Sequence, residues 1–502
     1  EEAPPELRFD IGRYVADGAT LLSPGEIAAA VGPYTGRGKD FSDVQYALEA
    51  IEGLYADRGY SAVHVLLPEQ ELESGTIHFQ VIESRFGQVT VKDNRHTGKQ
   101  NALNALPGVR PGGIPRARDI ARQLRLANEN PARQLNVVLK GGERDDLVDA
   151  SVLVKDLKPE QWTVSLDNTG SKETGISRLG LAYRHANLFD RDHVGQVQIQ
   201  LSPQYPDRVK VLGGGYKVPL YGSGHSVEFF GGYSNVNSLI GGLTNFQGGG
   251  LILSSRYHIP LQRIGSFDPK LSLGLDWRRF SKIEQTDPVP PVTLYNPIVV
   301  SPVSLSYALQ GKLARSDINL NLSWTVNAAV MNGGKKADFA AYVPNTVSTL
   351  TPAYKVARYG AGYFTQVGQD GQIRLAFSGQ WSRDELIPGE QFRLGGADGV
   401  RGFTEGSESG ERGAKLNLEA YLPAYARGDF NLRGLIFADA GAVRANSSGL
   451  TTTISSAGLG LRGAYTDRYA LRLDAGRIAK AGNDLTQLAG DWRIHATLSG
   501  SF

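Results

Sequence analysis

The chain has 502 residues, of which 53 are basic and 51 acidic, and this near balance of charge argues against nucleic acid as a partner. It contains no cysteine, which excludes thiol catalysis, iron–sulfur clusters and cysteine-ligated zinc. No apolar run reaches the roughly 18 residues that a membrane-spanning helix requires. With 61 glycines, the composition instead suits a transmembrane barrel whose lumen face is polar.

The first predicted unit covers residues 1–84 and mixes strands with helices. Its predicted strands are LRFDIG, AVHVLLP and GTIHFQVIES. A short helix over Ser23–Val31 is indicated by Ser23 as N-cap, proline at the first helical position and glutamate three residues after the cap. A longer helix lies in FSDVQYALEAIEGLYADRGY, where apolar residues recur at the spacing of one helix face. The predicted order is strand, helix, helix, strand, strand.

The second predicted unit, residues 85–158, repeats that order. Its segments are FGQVTVKD, GKQNALNAL, PRARDIARQLRLANEN, RQLNVVLKG and DLVDASVLVKD. Two units of about 75 residues with one βααββ plan form an internal repeat. Two small α+β domains of another function would show the same periodicity.

The pattern of residues 159–502 predicts an antiparallel β-barrel that crosses a membrane. Apolar and polar residues alternate in about sixteen segments of roughly 8 to 12 residues, the length of a tilted membrane-spanning strand. Short connections alternate with long ones, which places turns at one rim and loops at the other. The last segment, WRIHATLSGSF, would close the barrel and place Phe502 at the membrane interface, where aromatic residues are favoured.

The usual signatures of an enzyme are missing from the sequence. It contains no HExxH, GxSxG or GxxxxGK[ST] motif, so zinc-protease, serine-hydrolase and nucleotide-binding chemistry have no support. We therefore predict a protein that is not an enzyme and that needs no cofactor or metal.

Two motifs in the barrel region are candidates for a functional site. The loop over 383–412 contains FRLGGADGVRGFTEG, and a predicted strand contains FADAG, in which Asp439 faces the lumen. Arg401, in the loop, has apolar neighbours. An exposed loop arginine and a solvated lumen carboxylate would be the ordinary interpretation of each residue alone.

Together these features resemble the TpsB family of two-partner secretion translocators, which are FhaC-like proteins related to BamA. In that family a VRG[YF] tetrad lies at the tip of the sixth extracellular loop and an FxDxG motif lies on the thirteenth strand. Here VRGF falls between the predicted eleventh and twelfth strands, and Asp439 falls on the thirteenth. The segments RGYSAVHVLLPEQELESGTIHFQVIES and SLDNTGSKETGISRLGLAYRHANLFDRDH also look like a POTRA domain and the first barrel hairpin of the family.

The resemblance implies a set of residues that anchor the loop to the barrel. Arg401 would pair with Asp439, and in a hydrated lumen such a pair contributes about 0–1 kcal/mol. The implied anchoring residues are Val400, Arg401, Gly402, Phe403, Phe437, Asp439 and Gly441.

A soluble part ahead of a barrel indicates the outer membrane of a Gram-negative bacterium, with residues 1–158 in the periplasm. The resemblance implies a monomeric translocator in contact with lipid, with two POTRA domains. It would bind an unfolded TpsA-like adhesin, haemolysin or toxin and secrete it through the barrel. A client would dock on a sheet edge or along a helix–strand groove, and the candidate residues are Leu135, Val137, Leu139, Ile120 and Leu124. The POTRA-like units would otherwise be spacers.

Two other functions remain open: a BamA-like factor that inserts barrels, and a diffusion porin, which would give residues 1–158 no role. Family members also commonly carry an N-terminal helix that plugs the pore. About six residues precede the first predicted strand, so this member either lacks that helix or carries it ahead of the numbered residues.

Overall fold

The computed structural model separates into two compact units. The residues that it describes are 8–71, 75–236, 238–240, 244–246, 249–285, 292–328, 334–344 and 348–502. The first unit contains the chain up to Pro159 together with residues 189–192 and 219–224, and the second contains the remainder. Within the described residues, no helix combines the length and the apolar character needed to cross a membrane.

The first unit begins with a three-stranded sheet covered by two helices. Its strands are β1 (Phe9–Ile11), β2 (Arg13–Asp17), β3 (Gly36–Lys39), β4 (Val63–Leu66) and β5 (Thr76–Glu83), its helices are α1 (Pro24–Val31) and α2 (Phe41–Asp57), and a 3₁₀ turn spans Gly32–Tyr34. The sheet order is β2–β5–β4, with β2 parallel to β5. Ser23 and Glu26 form the predicted capping box of α1, and α2 buries Val44, Ala47, Ile51 and Tyr55 against the sheet.

The predicted strand LRFDIG does not join that sheet. It forms β1, which pairs with β3, and the sheet strand is the following segment β2. Gly12 lies between the two strands, and its N–H donates to the carbonyl of Gly75 at 2.7 Å.

Glu83, at the end of β5, connects three parts of this sheet–helix module. Its carboxylate accepts hydrogen bonds from the main-chain N–H groups of Thr20 at 2.7 Å and Leu21 at 2.9 Å, and from the Tyr55 hydroxyl at 2.7 Å. Burial raises the pKa of Glu83, but the hydrogen bonds outweigh burial and hold it below its ordinary value of 4.5. The ionised carboxylate therefore stabilises the folded module.

This stabilisation should be present above pH 4.5 and should be lost as the pH falls through the lowered pKa of the folded state. We expect Glu83→Gln to reduce the protection of the Thr20 and Leu21 amides about tenfold at neutral pH, because charged hydrogen bonds contribute about 1.5–3 kcal/mol. Hydrogen exchange of the full chain between about pH 3 and 7 measures this effect. The matched control is Glu69→Gln at an exposed site, and identical pH profiles for wild type and Glu83→Gln would contradict the assignment.

The second module repeats the plan with its own core. It consists of β6 (Arg85–Lys92), α3 (Lys99–Asn104), α4 (Ala117–Ala127), β7 (Arg133–Gly141) and β8 (Leu147–Asp156). The sheet order is β6–β8–β7, with β6 parallel and β7 antiparallel to β8. β7 is therefore an edge strand, and one of its edges is partly covered: the Asn128 side chain donates to the Leu135 carbonyl at 3.0 Å and accepts from the Leu135 N–H at 2.6 Å.

The second unit is a closed antiparallel barrel. Among the described residues, sixteen long strands form it, and the last pairs with the first from Thr497 opposite Asp167 to Ser501 opposite Thr163. In chain order the strands are Glu160–Asp167, Arg178–Leu188, His193–Leu201, Lys210–Leu220, His225–Ser234, Gly250–Pro260, Phe267–Phe280, Pro302–Lys312, Ser316–Asn327, Lys355–Val367, Gly371–Trp381, Arg412–Tyr421, Phe430–Arg444, Thr451–Tyr465, Tyr469–Lys480 and Trp492–Ser501. The predicted fold class is confirmed.

Shorter elements occupy the connections between these strands. Ile298–Val300 pairs with the seventh strand and Tyr425–Arg427 with the thirteenth. The others are Ser238–Ile240, Thr244–Phe246, Ile283–Gln285, Val292–Tyr295, helix α5 (Lys336–Ala340), the 3₁₀ turn Pro388–Glu390, Phe392–Leu394 and Glu408–Gly410.

Side-chain exposure follows the alternation that the sequence shows. On the sixteenth strand Trp492 and Ile494 are each 60% exposed, whereas His495 is 3% exposed. Because successive side chains of a strand point to opposite faces, the exposed apolar set faces lipid and His495 faces the lumen. The same alternation of exposed and buried side chains identifies the lumen face of the remaining strands.

The lumen face of the first three strands is rich in neutral amides. Trp162 and Val197 are 48% and 54% exposed, so they face lipid and the residues of opposite parity face inward. These inward residues line a cavity of about 150 Å³ and include Gln161, Thr163, Arg184, Gln196 and Gln198.

Candidate functional site

The long loop between the eleventh and twelfth strands, residues 382–411, folds against the inner wall of the barrel. Its two short strands pair with each other and project the tip that carries VRGF. Gly395, Gly396 and Gly402 have φ of 84°, 103° and 95°, which residues with a Cβ rarely adopt. Val400 and Phe403 are 0% and 1% exposed, and they pack with Leu394, Val443, Ile454 and Ile478.

Arg401 is the centre of the site. Its Nε donates to Asp439 Oδ2 at 2.7 Å and its Nη2 donates to Asp439 Oδ1 at 2.8 Å. The guanidinium group therefore binds the carboxylate in a bidentate manner. Its main-chain N–H adds a third bond to Oδ2 at 3.1 Å. The guanidinium carbon lies 3.6 Å from the centroid of the Phe437 ring. Planar, bidentate contact of this kind is specific to arginine.

The structure thus brings together the seven loop and strand residues that the family resemblance singled out. Gly441 has its own role, because a Cβ there would lie 2.6 Å from the Leu394 side chain. The absence of a side chain at Gly441 makes room for the base of the tip.

The Arg401–Asp439 pair is buried, so the expectation of a hydrated pair is wrong. Its side chains are 2% and 0% exposed. Removing one partner of a buried pair leaves an uncompensated charge and costs about 3–5 kcal/mol. Removal of either partner by mutation is therefore far more costly here than it would be for an exposed ion pair.

Two further carboxylates surround Arg401 and were not singled out from the sequence. Arg401 Nη1 donates to Glu419 Oε1 at 2.7 Å and approaches Asp474 Oδ1 at 3.5 Å. Glu419 also pairs with Arg374 at 3.1 Å, and Asp474 pairs with Arg462 at 2.9 Å and Arg472 at 2.8 Å. The three acids of the wall thus meet four guanidinium groups, which leaves no net negative charge to repel the tip.

The main chain of the tip is held by the last two strands. The N–H of Gly402 donates to Nε2 of His495 at 3.1 Å, and the N–H of Thr404 donates to Oε1 of Gln487 at 2.7 Å. A Cβ at Gly476 would lie 2.7 Å from the Gly402 nitrogen, so Gly476 forms a slot for the tip. These partners reach the loop from strands fifteen and sixteen and the connection between them.

The five candidate client-binding residues lie in a different place, the second module of the first unit. Ile120 and Leu135 are 8% and 4% exposed and belong to its core, and Leu124 and Val137 pack against that core. Leu139 is 37% exposed. Of the five side chains, Leu139 alone is well placed to contact a partner.

Comparison with known proteins identifies the family. A family model described as haemolysin secretion/activation protein ShlB/FhaC/HecB matches residues 151–463, and a model of the ShlB-type POTRA domain matches residues 9–84. The outer membrane transporter CdiB of Dickeya dadantii is 23% identical over 415 residues, which cover 80% of this chain and 71% of the relative. The heme/hemopexin transporter protein HuxB of Haemophilus influenzae is 21% identical over 416 residues, 80% of this chain and 70% of the relative.

Other matches are a shorter sequence alignment and two solved structures. CdiB of Escherichia coli is 26% identical over 171 residues, and that alignment spans 34% of this chain and 29% of the relative's length. The solved structure of CdiB from Escherichia coli has a TM-score of 0.79 at 20% identity and covers 100% of this chain and 92% of that chain. BamA from Haemophilus ducreyi, lacking POTRA domains 1–3, has a TM-score of 0.53 at 14% identity, with coverage of 99% and 100%.

At these identities the structural matches show the fold. The ShlB/FhaC/HecB model covers more than half of the chain, and the predicted TpsB relationship is confirmed. The chain therefore belongs to the ShlB/FhaC/HecB family, the TpsB-type β-barrel transporters of the outer membrane whose POTRA domains lie in the periplasm.

Proposed function

We propose that this chain binds an unfolded exoprotein in the periplasm and secretes it through the barrel, as in two-partner secretion. The observation that carries the proposal is the tip of loop 382–411, fixed inside a closed barrel by the buried Arg401–Asp439 pair. A loop held at one position by buried charges is suited to controlling a passage, whereas a simple diffusion pore would give residues 1–158 no role. The loop residues that we assign to this anchoring are Val400, Arg401, Gly402 and Phe403, with Phe437, Asp439 and Gly441 on the wall.

Folding of the client outside the cell supplies the driving force. The sequence contains no nucleotide-binding motif, and a folded client domain, stable by about 5–15 kcal/mol, resists return through the pore. The client threads in extended form, because a barrel of this strand number encloses an aqueous channel and not a corridor for folded domains.

The two POTRA modules, which we place at residues 1–84 and 85–158, receive the client before it reaches the pore, which we place at residues 159–502. The edge strand β7 offers main-chain groups for strand addition, and the exposed Leu139 lies near its end. Asn128 covers the main chain at Leu135, so docking falls on the later part of β7. The partner is a TpsA-like adhesin, haemolysin or toxin, and the chain acts as a monomer.

Leu139→Asp should weaken the binding of an unfolded client fragment about tenfold, because a contact residue of this kind contributes more than about 1 kcal/mol. Titration of the detergent-solubilised chain with a labelled fragment measures the dissociation constant. Phe41→Asp is the matched control, since Phe41 is 58% exposed on the first module. An unchanged dissociation constant for Leu139→Asp would remove β7 from the docking site.

The function itself is tested by export of a candidate exoprotein, sought first among the genes beside this one. Cells with and without this chain are compared by immunoblotting the exoprotein in the medium. Export that requires the chain supports the proposal. Export that persists without it, together with loss of other outer-membrane barrels, would favour the second candidate function, a BamA-like assembly factor, which the likeness to the BamA fold supports.

A further inference from the structure

The base of loop 382–411 carries a buried acid that is separate from the tip. Glu390 ends the 3₁₀ turn Pro388–Glu390, and its side chain is 0% exposed. An ionised carboxylate is stable in such a place when cations and hydrogen-bond donors surround it.

Glu390 has those partners on the barrel wall. Its Oε1 accepts from Arg278 Nη1 at 2.7 Å and its Oε2 from Arg358 Nη2 at 2.9 Å. Its main-chain carbonyl accepts from Gln380 Nε2 at 2.8 Å. Arg278, Arg358 and Gln380 lie on the seventh, tenth and eleventh strands, so the contacts tie the loop to a part of the wall that the tip does not touch through Arg401.

The arginines of this wall are themselves positioned by acids and amides. Arg278 Nη2 donates to Asp276 Oδ2 at 2.5 Å, and Arg358 Nε donates to Gln380 Oε1 at 2.9 Å. The guanidinium groups are thus held in place independently of the loop, as a preformed receptor for one carboxylate.

Apolar packing at the same point supports the ion pairs. Leu386 and Ile387, just ahead of Glu390, are 3% and 1% exposed and belong to a cluster with Phe280 and Tyr354. A Cβ at Gly389 would overlap the Phe280 ring, so the turn lies directly on that ring. The base of the loop therefore packs directly against the wall.

We infer that Glu390 is a second anchor of the loop, with charges reversed relative to the first. At the tip a loop arginine meets an acidic wall, and at the base a loop acid meets a basic wall. Because the two anchors use different strands, the loop leaves the lumen only when both are broken. The position of the loop is independent of whether the chain secretes a client; the inference rests on the proposed function for its consequence in export alone.

The test uses the lack of cysteine in the chain. A single Ile387→Cys replacement puts the only thiol at a site that is 1% exposed, so it reacts with a membrane-impermeant maleimide when the base of the loop leaves the wall. We expect Glu390→Gln to raise the labelling rate of this reporter about tenfold in cells that carry no client, because the neutral amide weakens the charge-assisted bonds from Arg278 and Arg358.

Glu228→Gln is the matched control, because Glu228 is a lumen carboxylate whose partner is His258 of the wall at 3.3 Å. It should leave the labelling rate at that of the reporter alone. Arg358→Gln should raise the rate as well, and combining it with Glu390→Gln should add less than the product of the two effects.

Equal rates for the reporter with and without Glu390→Gln, in barrels that assemble to the same level, would overturn the second anchor. If Glu390→Gln does not accumulate, Arg358→Gln answers the same question, and an unchanged rate there would overturn the anchor too. Failure of the secretion proposal looks different, since export would then be independent of the chain while labelling still responds to Glu390.

Discussion

Arg401→Lys should lower export at least tenfold, about 1.4 kcal/mol, although the charge is kept. Lysine cannot reproduce the two parallel bonds to Asp439, nor the stacking of a planar group on Phe437 at 3.6 Å. It also leaves Glu419 without its bond from the loop. In a site where breaking a buried pair costs about 3–5 kcal/mol, the tip would leave the wall.

The measurement is the exoprotein in the medium at matched amounts of transporter in the outer membrane. Arg427→Lys, at an exposed position of the segment Tyr425–Arg427, is the control and should export like the wild type. Arg401→Ala should fall at least as far as Arg401→Lys. Wild-type export by an assembled Arg401→Lys barrel would show that the geometry of the pair is irrelevant to transport.

Gly476→Ala should displace the tip without changing any charge. The added methyl carbon would lie 2.7 Å from the nitrogen of Gly402 and 2.9 Å from the carbonyl carbon of Arg401, and main-chain atoms cannot yield as a flexible side chain can. We expect a loss of export comparable to that of Arg401→Lys, because overpacking of this kind costs about 1–3 kcal/mol.

Gly463→Ala provides the matched substitution on the neighbouring strand. A Cβ at Gly463 meets its nearest atom, in Leu471, at 3.4 Å, which is ordinary contact, so export should stay at the wild-type level. Protease protection at the tip of loop 382–411 should fall in Gly476→Ala and persist in Gly463→Ala. An assembled Gly476→Ala barrel with a protected loop and full export would show that the tip does not need the space at Gly476.

The barrel could be predicted because a strand between lipid and lumen imposes a period of two on the sequence. The thirteenth strand shows it: Ile436 is 56% exposed, while Phe437 and Asp439 are 4% and 2% exposed. The strands β2 and β3 could not be predicted in this way, because they are too short to show that period. They are five and four residues long, and β3, with the sequence GRGK, carries no apolar alternation.

The ring of charges around Arg401 could be predicted in part. Glu419 and Asp474 have lumen parity in the sequence, and so does His495. Parity fixes the face of a residue but not its height, which depends on the stagger between strands. The observed register places Asn417 opposite Asp439 and Asp474 opposite His495. That alignment brings Glu419 and Asp474 to the Arg401 side chain and His495 to the N–H of Gly402.

The amide-rich lumen face of the first three strands has a consequence for a moving chain. Gln161, Gln196 and Gln198 present groups that both donate and accept hydrogen bonds, so each bond that a sliding backbone makes can be exchanged at once for another, or for water. Arg184 adds one cation to this face, and its guanidinium donates to Oε1 of Gln161. The amides themselves hold no fixed charge that would trap an acidic or a basic stretch, so friction along them would depend little on the sequence that passes.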